Sequence, residues 1–182
     1  MAGEPFVGDA LDLQFRTPVS DDIAILSDWL TRPHVRRWWK PKWTEEVLAA
    51  LASGGEPPAY LSPFIVELDG NPVGYIQSYE ALADPSGFWV GVETITEGTR
   101  GIDLLIGKED LTNRRLGRQI ARRFIAGLFE DPAVDRIVAD PHLDNWPCTI
   151  ALKRIGFRDR GRFPQPGVNA QHLSLARAVF KG

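Results

Sequence analysis

The hydrophobic positions along this chain follow two periods, one typical of helices and one typical of strands. Between residues 116 and 128 an apolar side chain returns at every third or fourth position, which predicts an amphipathic helix of about three turns. Residues 23–30 show the same spacing and predict a second helix. Ser20 and Asp21, just before it, have side chains that suit a helix N-terminus, and Pro33 predicts its end. The most regular helical pattern therefore lies in the second half of the chain.

Two further helices are indicated by capping residues. Residues 44–52 favour a helix, with Thr44 as its N-cap and Glu46 in its first turn. The segment 146–155 favours another, which begins at either of its first two residues. It ends before Gly156, because glycine is the residue type that most often closes a helix at C′. Four helices are thus expected.

Runs rich in β-branched and aromatic residues predict the strands. They cover residues 13–17, 63–69, 72–80, 100–107, 136–139 and 171–179. Gly70 and Asn71 separate the second and third runs with residue types that accept positive φ, so these strands are expected to pair as an antiparallel hairpin. Residues 83–99 show no clear period and are expected to form a loop. The order of elements predicts an α+β fold with a mixed sheet.

Length and charge narrow the possible functions. With 182 residues, 43% of them hydrophobic, the chain suits one core, which predicts a single domain over residues 1–182. The formal charge of −3 argues against general nucleic-acid binding and permits a small cationic substrate. One cysteine, Cys148, excludes an internal disulfide framework. Residues 1–10 lack a signal-peptide pattern, and no apolar run reaches the roughly 20 residues of a membrane span, so a cytoplasmic protein is expected.

The apolar run 100–107 contains a single carboxylate, Asp103, and leads towards a basic turn. A carboxylate is costly to bury, so Asp103 needs either a partner or a chemical role. In residues 113–118 a helix begins among arginines, and its first N–H groups and its dipole suit a pyrophosphate. Asp140 ends the next strand, and a second carboxylate there favours the attraction of a polyamine.

Each of these interpretations has a structural alternative. Asp103 would instead be the ion-pair partner of Arg100 or Arg136, and the basic turn would be a solvated helix start. Asp140 precedes a proline, which is a common turn former. The three histidines lie on different elements without metal-ligand spacing, so no metal site is expected. Cys148 has no neighbouring histidine in the sequence and is expected to be an incidental thiol.

Several motifs occur in one order along the chain. They are Trp29 to Val35 with Trp38-Trp39, Pro72 to Tyr79, Arg100 to Asp103, Leu128 to Pro132, Asp140-Pro141 with Asn145, and Lys153 to Phe157. Together they resemble the GNAT superfamily of acyl-CoA-dependent N-acyltransferases and, within it, the aminoglycoside 6'-N-acetyltransferases. The resemblance implies the GNAT fold, in which a largely antiparallel, twisted sheet is flanked by helices and acyl-CoA binds at a splayed strand pair. It also implies acetyl transfer from acetyl-CoA to the 6'-amine of an aminoglycoside. The oligomeric state, monomer or homodimer, stays open.

The resemblance assigns roles to residues at matching positions. Asp103 is expected to hold the amine and to act as its base, while the strand N–H near Leu105 polarises the thioester carbonyl. Substrate contacts are expected from Asp140, Gln77, Tyr79 and Trp89, with packing in the core as the alternative for the two aromatic residues. Glu93 is a further candidate because of its charge, with a solvent-facing position as its alternative. Contacts with acetyl-CoA are expected from Leu104, Leu105, Ile106, Arg114, Arg115, Leu116, Gly117, Arg118 and Asn145.

Two positions depart from the family pattern. Where the family carries Arg/Gln-x-x-Gly-x-Gly/Ala, this chain has Thr112 to Gly117 and keeps only the last glycine. Leu152 stands seven residues after Asn145, where many members have a tyrosine that protonates the leaving thiolate. Either water protonates the thiolate or turnover is slower than usual, and catalysis by positioning alone stays open. Two other functions stay open: a siderophore-type lysine or N-hydroxylysine N-acyltransferase, whose members usually have a histidine near the Asp103 position, and a non-catalytic acyl-CoA-binding sensor.

Overall fold

The computed structural model describes residues 11–40, 42–163 and 167–181 of the chain. The strands within these residues are β1 Leu13–Arg16, β2 Leu61–Leu68, β3 Asn71–Glu80, β4 Thr99–Ile106, β5 Arg136–Ala139, β6 Arg158–Arg162 and β7 Gln171–Ala176. The helices are α1 Ile23–Thr31, α2 Pro33–Arg36, α3 Lys42–Ser53, α4 Leu116–Leu128 and α5 Trp146–Ile155. None of the described helices is both long and apolar enough to cross a bilayer.

The seven strands form one mixed sheet in the order β1-β2-β3-β4-β5-β7-β6. β5 and β6 each pair with β7 in antiparallel register, whereas β4 and β5 run parallel. The parallel register extends from Thr99 opposite Arg136 to Gly101 opposite Val138, and β4 then continues to Ile106. The second half of β4, which begins near Asp103, therefore lies past the last registered pair with β5. The predicted mixed sheet and its helical flanks are confirmed.

Compactness divides the chain into two units, and β3 and β4 each contribute to both. The first unit comprises Met1–Gln77 and Leu104–Ile120. Its core contains the buried side chains of Leu26, Trp29, Val35, Ile65, Tyr75 and Leu105. The burial of apolar side chains in such a core is the main favourable contribution to folding. The ring of Trp29 also occupies the space that a Cβ on Gly107 would need, so only glycine fits at the end of β4.

The second unit comprises Ser78–Asp103 and Ala121–Gly182. Its fully buried side chains include Ile125 on α4, Ile137 on β5, and Leu173 and Leu175 on β7. The guanidinium of Arg177 donates hydrogen bonds to the carbonyls of Phe129, Asp131 and Val134, which tie down the connection between α4 and β5. The expectation of a single domain over residues 1–182 stays a prediction.

The four predicted helices are right in position, but two are wrong at their N-termini, and the short helix α2 was not predicted. Ser20 and Asp21 lie in a 3₁₀ turn, and it is the Asp22 carboxylate that accepts the Val19 N–H at 2.8 Å. Thr44 is not an N-cap, because α3 begins earlier, at Lys42. The Thr44 hydroxyl instead accepts a 2.9 Å hydrogen bond from the Trp39 indole. Asp22, rather than Ser20 or Asp21, therefore satisfies the backbone before α1, and the Thr44 hydroxyl is occupied by the Trp39 indole.

The strand predictions need three corrections. The hairpin turn consists of Asp69 and Gly70, with φ of 51° and 73°, and Asn71 already belongs to β3. The predicted strand 171–179 ends at Ala176, because residues 177–179 form a 3₁₀ turn. β6 was missed because its five residues are exposed and polar, so no apolar alternation marks them. Residues 83–98 form the expected loop.

Candidate functional site

Asp103 and Asp140, called here the acidic pair, lie towards the C-terminal ends of the parallel neighbours β4 and β5. Asp103 is a half-buried residue of β4, and Asp140 directly follows the last residue of β5. Parallel strands present their C-terminal ends at the same edge of a sheet, which is where α/β folds commonly bind ligands. The topology thus brings two carboxylates to one edge, as the sequence predicts.

Tyr79 lies close enough to the acidic pair to be influenced by both charges. Its side chain is buried, and its hydroxyl accepts a 3.0 Å hydrogen bond from the indole of Trp89. Burial, followed by the charges of Asp140 and Asp103, raises the pKa of the Tyr79 hydroxyl well above its ordinary value. The hydroxyl therefore stays protonated at every physiological pH.

Cys148 is a second group whose pKa the acidic pair raises. Burial, Asp103 and Asp140, in that order, raise the pKa of its thiol to about 12. Two buried groups from different elements, Tyr79 on β3 and Cys148 on α5, thus both experience the acidic pair. A protonated amine near these carboxylates would be stabilised by the opposite charge. The thiol itself is too weakly acidic to act as a nucleophile, in keeping with its expected incidental role.

The remaining predicted substrate residues differ in their environments. Trp89 is fully buried and packs edge to face against Phe88 and Phe163, with ring centroids 5.3 Å and 5.0 Å away. Gln77 is buried, and its side-chain oxygen accepts a 2.8 Å hydrogen bond from the Tyr75 hydroxyl. Glu93 is exposed in the loop after Trp89. Tyr79 and Trp89 are thus joined by direct contact, and the charges of the acidic pair act on Tyr79. The roles of Asp140, Gln77, Tyr79, Trp89 and Glu93 as substrate contacts all stay predictions.

The sequence offered Arg100 and Arg136 as possible ion-pair partners of Asp103. Both guanidinium groups have other contacts. The guanidinium of Arg100 donates to the Glu97 carbonyl at 3.0 Å and lies 3.8 Å from the Glu80 carboxylate. That of Arg136 donates to the Ser174 hydroxyl at 2.9 Å. Through these contacts Arg100 joins β4 to Glu80 on β3 and to the loop before β4, and Arg136 joins β5 to β7.

The basic turn before α4 has an unusual backbone. Asn113 and Arg115 both adopt positive φ, 59° and 65°, on either side of Arg114. Alternation of this kind turns successive N–H groups towards one concave side, forming a nest that binds anions. The helix start at Leu116 adds further N–H groups without intrahelical acceptors. Arg115 occupies the position where the family pattern has its first glycine, and it adopts the positive φ that glycine favours.

The end of β4 packs against the first turn of α4. A Cβ on Gly117 would lie 3.5 Å from the Ile106 Cδ1 atom and 3.7 Å from the Leu104 Cδ2 atom, which are ordinary contacts. Leu105 points to the opposite face of the strand, into the core of the first unit. Of the predicted acetyl-CoA residues, Leu104 and Ile106 of β4 therefore lie against Gly117 of α4, whereas Leu105 does not.

Asn145 has a structural role that the sequence did not predict. It is the N-cap of α5, and its side-chain oxygen accepts the Cys148 N–H at 3.4 Å. Sequence reasoning also missed two contacts to the end of β4, made by Arg32 and His34. In the sequence, these contacts were indicated only by the Arg-Pro-His triplet that follows α1.

Among the described residues, no group of three or more His, Cys, Asp or Glu side chains is placed to hold a metal ion. The nest around Arg114 instead suits an anionic group, and the acidic pair suits a cationic one. The two features therefore carry opposite charge preferences.

Comparison with known proteins gives concordant results. A model of the acetyltransferase (GNAT) domain matches residues 18–164. Aminoglycoside N(6')-acetyltransferase type 1 of Klebsiella pneumoniae is 31% identical over 177 residues, which are 95% of this chain and 86% of that protein. The crystal structure of aminoglycoside acetyltransferase AAC(6')-Ib with coenzyme A and kanamycin has a TM-score of 0.78 and 30% identity, covering 92% of this chain and 96% of that one. The lysine N-acyltransferase MbtK of Mycobacterium tuberculosis is 25% identical over 121 residues, 66% of this chain.

Proposed function

This chain belongs to the GNAT acetyltransferase family, and we propose that it transfers the acetyl group of acetyl-CoA to the 6'-amine of an aminoglycoside. The observation that carries the proposal is the acidic pair, whose charges reach both Tyr79 and Cys148. An aminoglycoside is a polyamine, so two carboxylates at one sheet edge provide the attraction that its ammonium groups need. The similarity over 95% of the chain to an aminoglycoside N(6')-acetyltransferase supports the same assignment.

Asp103 is the proposed base. An ammonium group has no free electron pair and cannot attack a thioester, so one proton must leave before acetyl transfer. The half-buried carboxylate of Asp103 accepts that proton, directly or through a water molecule. Asp140 holds the positive charge of the substrate near Asp103 without taking part in the proton transfer.

The nest and its arginines fit the pyrophosphate of acetyl-CoA. Positive φ at Asn113 and Arg115 directs backbone N–H groups at one anion, and the guanidinium groups of Arg114, Arg115 and Arg118 add charge. Acetyl-CoA supplies an acetyl group activated as a thioester. The N–H groups of β4 near Leu105 are proposed to hold the thioester carbonyl and to polarise it.

Leu152 is buried on α5 at the position where a tyrosine acid would stand. A coenzyme A thiolate is a weak base compared with an alkoxide, so water suffices to protonate it. Positioning of the amine against the thioester then supplies much of the rate enhancement. A cytoplasmic location and a monomeric or homodimeric state stay predictions.

The test measures thiol release from acetyl-CoA by the purified protein. Kanamycin is compared with a 6'-hydroxy aminoglycoside, lysine and N-hydroxylysine, and the acetylated position is determined by NMR. We expect turnover only with the 6'-amine. Turnover with the lysines alone would assign the chain to siderophore-type acylation, and acetyl-CoA binding without any turnover would indicate a sensor.

The variant Asp103→Asn tests the base within the same assay. It should lower kcat/KM by about 10²- to 10⁴-fold, the usual contribution of a general base, while acetyl-CoA still binds. The matched control is Asp21→Asn, which removes one exposed carboxylate elsewhere. Equal activities of the two variants would exclude Asp103 as the base.

A further inference from the structure

The triplet Arg32-Pro33-His34 has no part in the proposed chemistry, yet two of its side chains contact the end of β4. The Nη1 atom of Arg32 donates a 2.8 Å hydrogen bond to the carbonyl of Gly107. The Nε2 atom of His34 lies 3.0 Å from the carbonyl of Ile106. Both contacts join residues more than 70 positions apart in the chain, and both belong to the first unit. The pair is called here the carbonyl clamp.

The backbone around Arg32 and a contact with Asp28 orient the Arg32 side chain towards β4. Arg32 is extended, with φ −68° and ψ 133°, and separates α1 from α2, where Pro33 takes the first helical position. Asp28, one turn back on α1, accepts hydrogen bonds from Nε and Nη2 of Arg32 at 3.0 Å and 2.6 Å. The guanidinium is thus held at one edge by Asp28, while its remaining nitrogen reaches Gly107.

The contact of His34 defines the tautomer of its ring. A carbonyl oxygen only accepts, so Nε2 must carry the proton in this hydrogen bond. The other ring nitrogen, Nδ1, is buried and has no hydrogen-bond partner among the residues that the structure describes. The ring therefore has one polar contact that holds it, and that contact is with β4.

The clamped residues connect directly to the acyl-donor site. Gly107 is held on its other side as well, because its N–H donates to the Val73 carbonyl at 2.9 Å. The Ile106 side chain packs beside Gly117 in the first turn of α4. The chain between them contains the nest at Asn113 and Arg115. Displacement of the β4 end would therefore move the surface on which the start of α4 rests.

We infer that Arg32 and His34 are positioning residues for the acyl donor: they fix the carbonyls of Ile106 and Gly107 and thereby hold β4 and the nest in the geometry that binds acetyl-CoA. The inference rests on the proposed function, because it assigns the nest to the pyrophosphate. Neither residue is required to touch the donor.

The test compares wild type with His34→Ala, His34→Gln and Arg36→Ala. Glutamine places an amide nitrogen where Nε2 of histidine lies, so it can restore the donor to Ile106. Arg36 is exposed on the same short helix and serves as the matched control. Acetyl-CoA affinity is measured by isothermal titration calorimetry, and KM values for both substrates are measured at saturating concentration of the other.

We expect His34→Ala to raise the Kd and the KM for acetyl-CoA about five- to tenfold, the effect of one lost hydrogen bond. The KM for the acceptor and kcat should stay within about twofold, and His34→Gln should recover most of the affinity. A purely structural role would instead reduce kcat through the folded fraction and leave both KM values unchanged.

Three results would overturn the inference while wild type still binds acetyl-CoA. They are unchanged donor affinity in His34→Ala, loss of affinity that glutamine does not recover, and an equal loss in Arg36→Ala. If His34→Ala does not fold, Arg32→Lys gives the same test, because lysine cannot bridge Asp28 and Gly107 at once. Failure of wild type itself to bind acetyl-CoA would contradict the proposed function rather than the clamp alone.

Discussion

The indole Nε1 of Trp89 donates a 3.0 Å hydrogen bond to the hydroxyl of Tyr79, and neither side chain has more than 2% of its surface exposed. The Tyr79 ring also fills the space that a Cβ on Gly101 would need, two residues before Asp103 on β4. One hydrogen bond thus links the loop after β3 to Tyr79, and the ring of Tyr79 packs against the strand that carries the proposed base. A loop without regular structure is fixed here by a buried polar contact rather than by a ladder of backbone bonds.

Trp89→Phe should lower the free energy of unfolding by about 1–3 kcal/mol, because it leaves a buried hydroxyl without its donor. Urea unfolding of this variant, of Tyr79→Phe and of the double variant forms a thermodynamic cycle. A coupling energy of at least about 0.5 kcal/mol is expected for residues in direct contact. Strictly additive losses would show that the hydrogen bond contributes nothing and that only ring packing matters.

Arg115→Gly and Arg115→Val should differ in stability although both remove the same charge. Glycine adopts the observed φ of 65° without steric cost, whereas a β-branched side chain is strained there. We expect the valine variant to be less stable than the glycine variant by at least about 1 kcal/mol in urea unfolding. Equal stabilities would contradict the left-handed backbone at this position.

Cys148 should report the charge of Asp103 in the folded protein. Since the pKa of its thiol is raised to about 12, little thiolate exists at pH 8, and iodoacetamide should react about a hundredfold or more slowly than with the urea-unfolded chain. Asp103→Asn removes one of the charges that raise this pKa, so it should accelerate alkylation. Asp21→Asn provides the control. An alkylation rate that Asp103→Asn leaves unchanged would show that the Asp103 charge does not affect the pKa of the Cys148 thiol.

His172 should make stability depend on pH. Burial, followed by the charges of Arg160 and Arg136, lowers the pKa of His172 below its ordinary value, whereas Asp159 acts in the opposite direction. The unfolded chain therefore binds a proton that the folded protein resists, and stability is lost as pH falls below about 6.5. In urea unfolding between pH 7.5 and pH 5, wild type should lose more stability than His172→Gln. Parallel pH profiles would contradict a burial-driven shift.

Much of the fold follows from the sequence because helix and strand periods are local. The stripe along α4 and the bounds of β5 match the structure, since apolar spacing and breakers act over a few residues. β6 left no such trace, because an exposed edge strand is stabilised by pairing with β7 rather than by its own pattern. Thr44 failed as a cap for the same reason: its partner, Trp39, is set by packing before the helix.

The sequence by itself determined the family and the order of elements apart from α2 and β6, and it predicts Asp103, Asp140 and the basic turn as the chemistry-bearing positions. Only the tertiary structure decided that the acidic pair acts on Tyr79 and Cys148, that Arg115 takes a left-handed backbone, and that Arg32 and His34 hold the end of β4. The physical reason is the distance along the chain over which each kind of interaction acts. Periodicity and capping are governed by neighbours along the chain, whereas fields and hydrogen bonds between distant segments exist only once packing has brought them together.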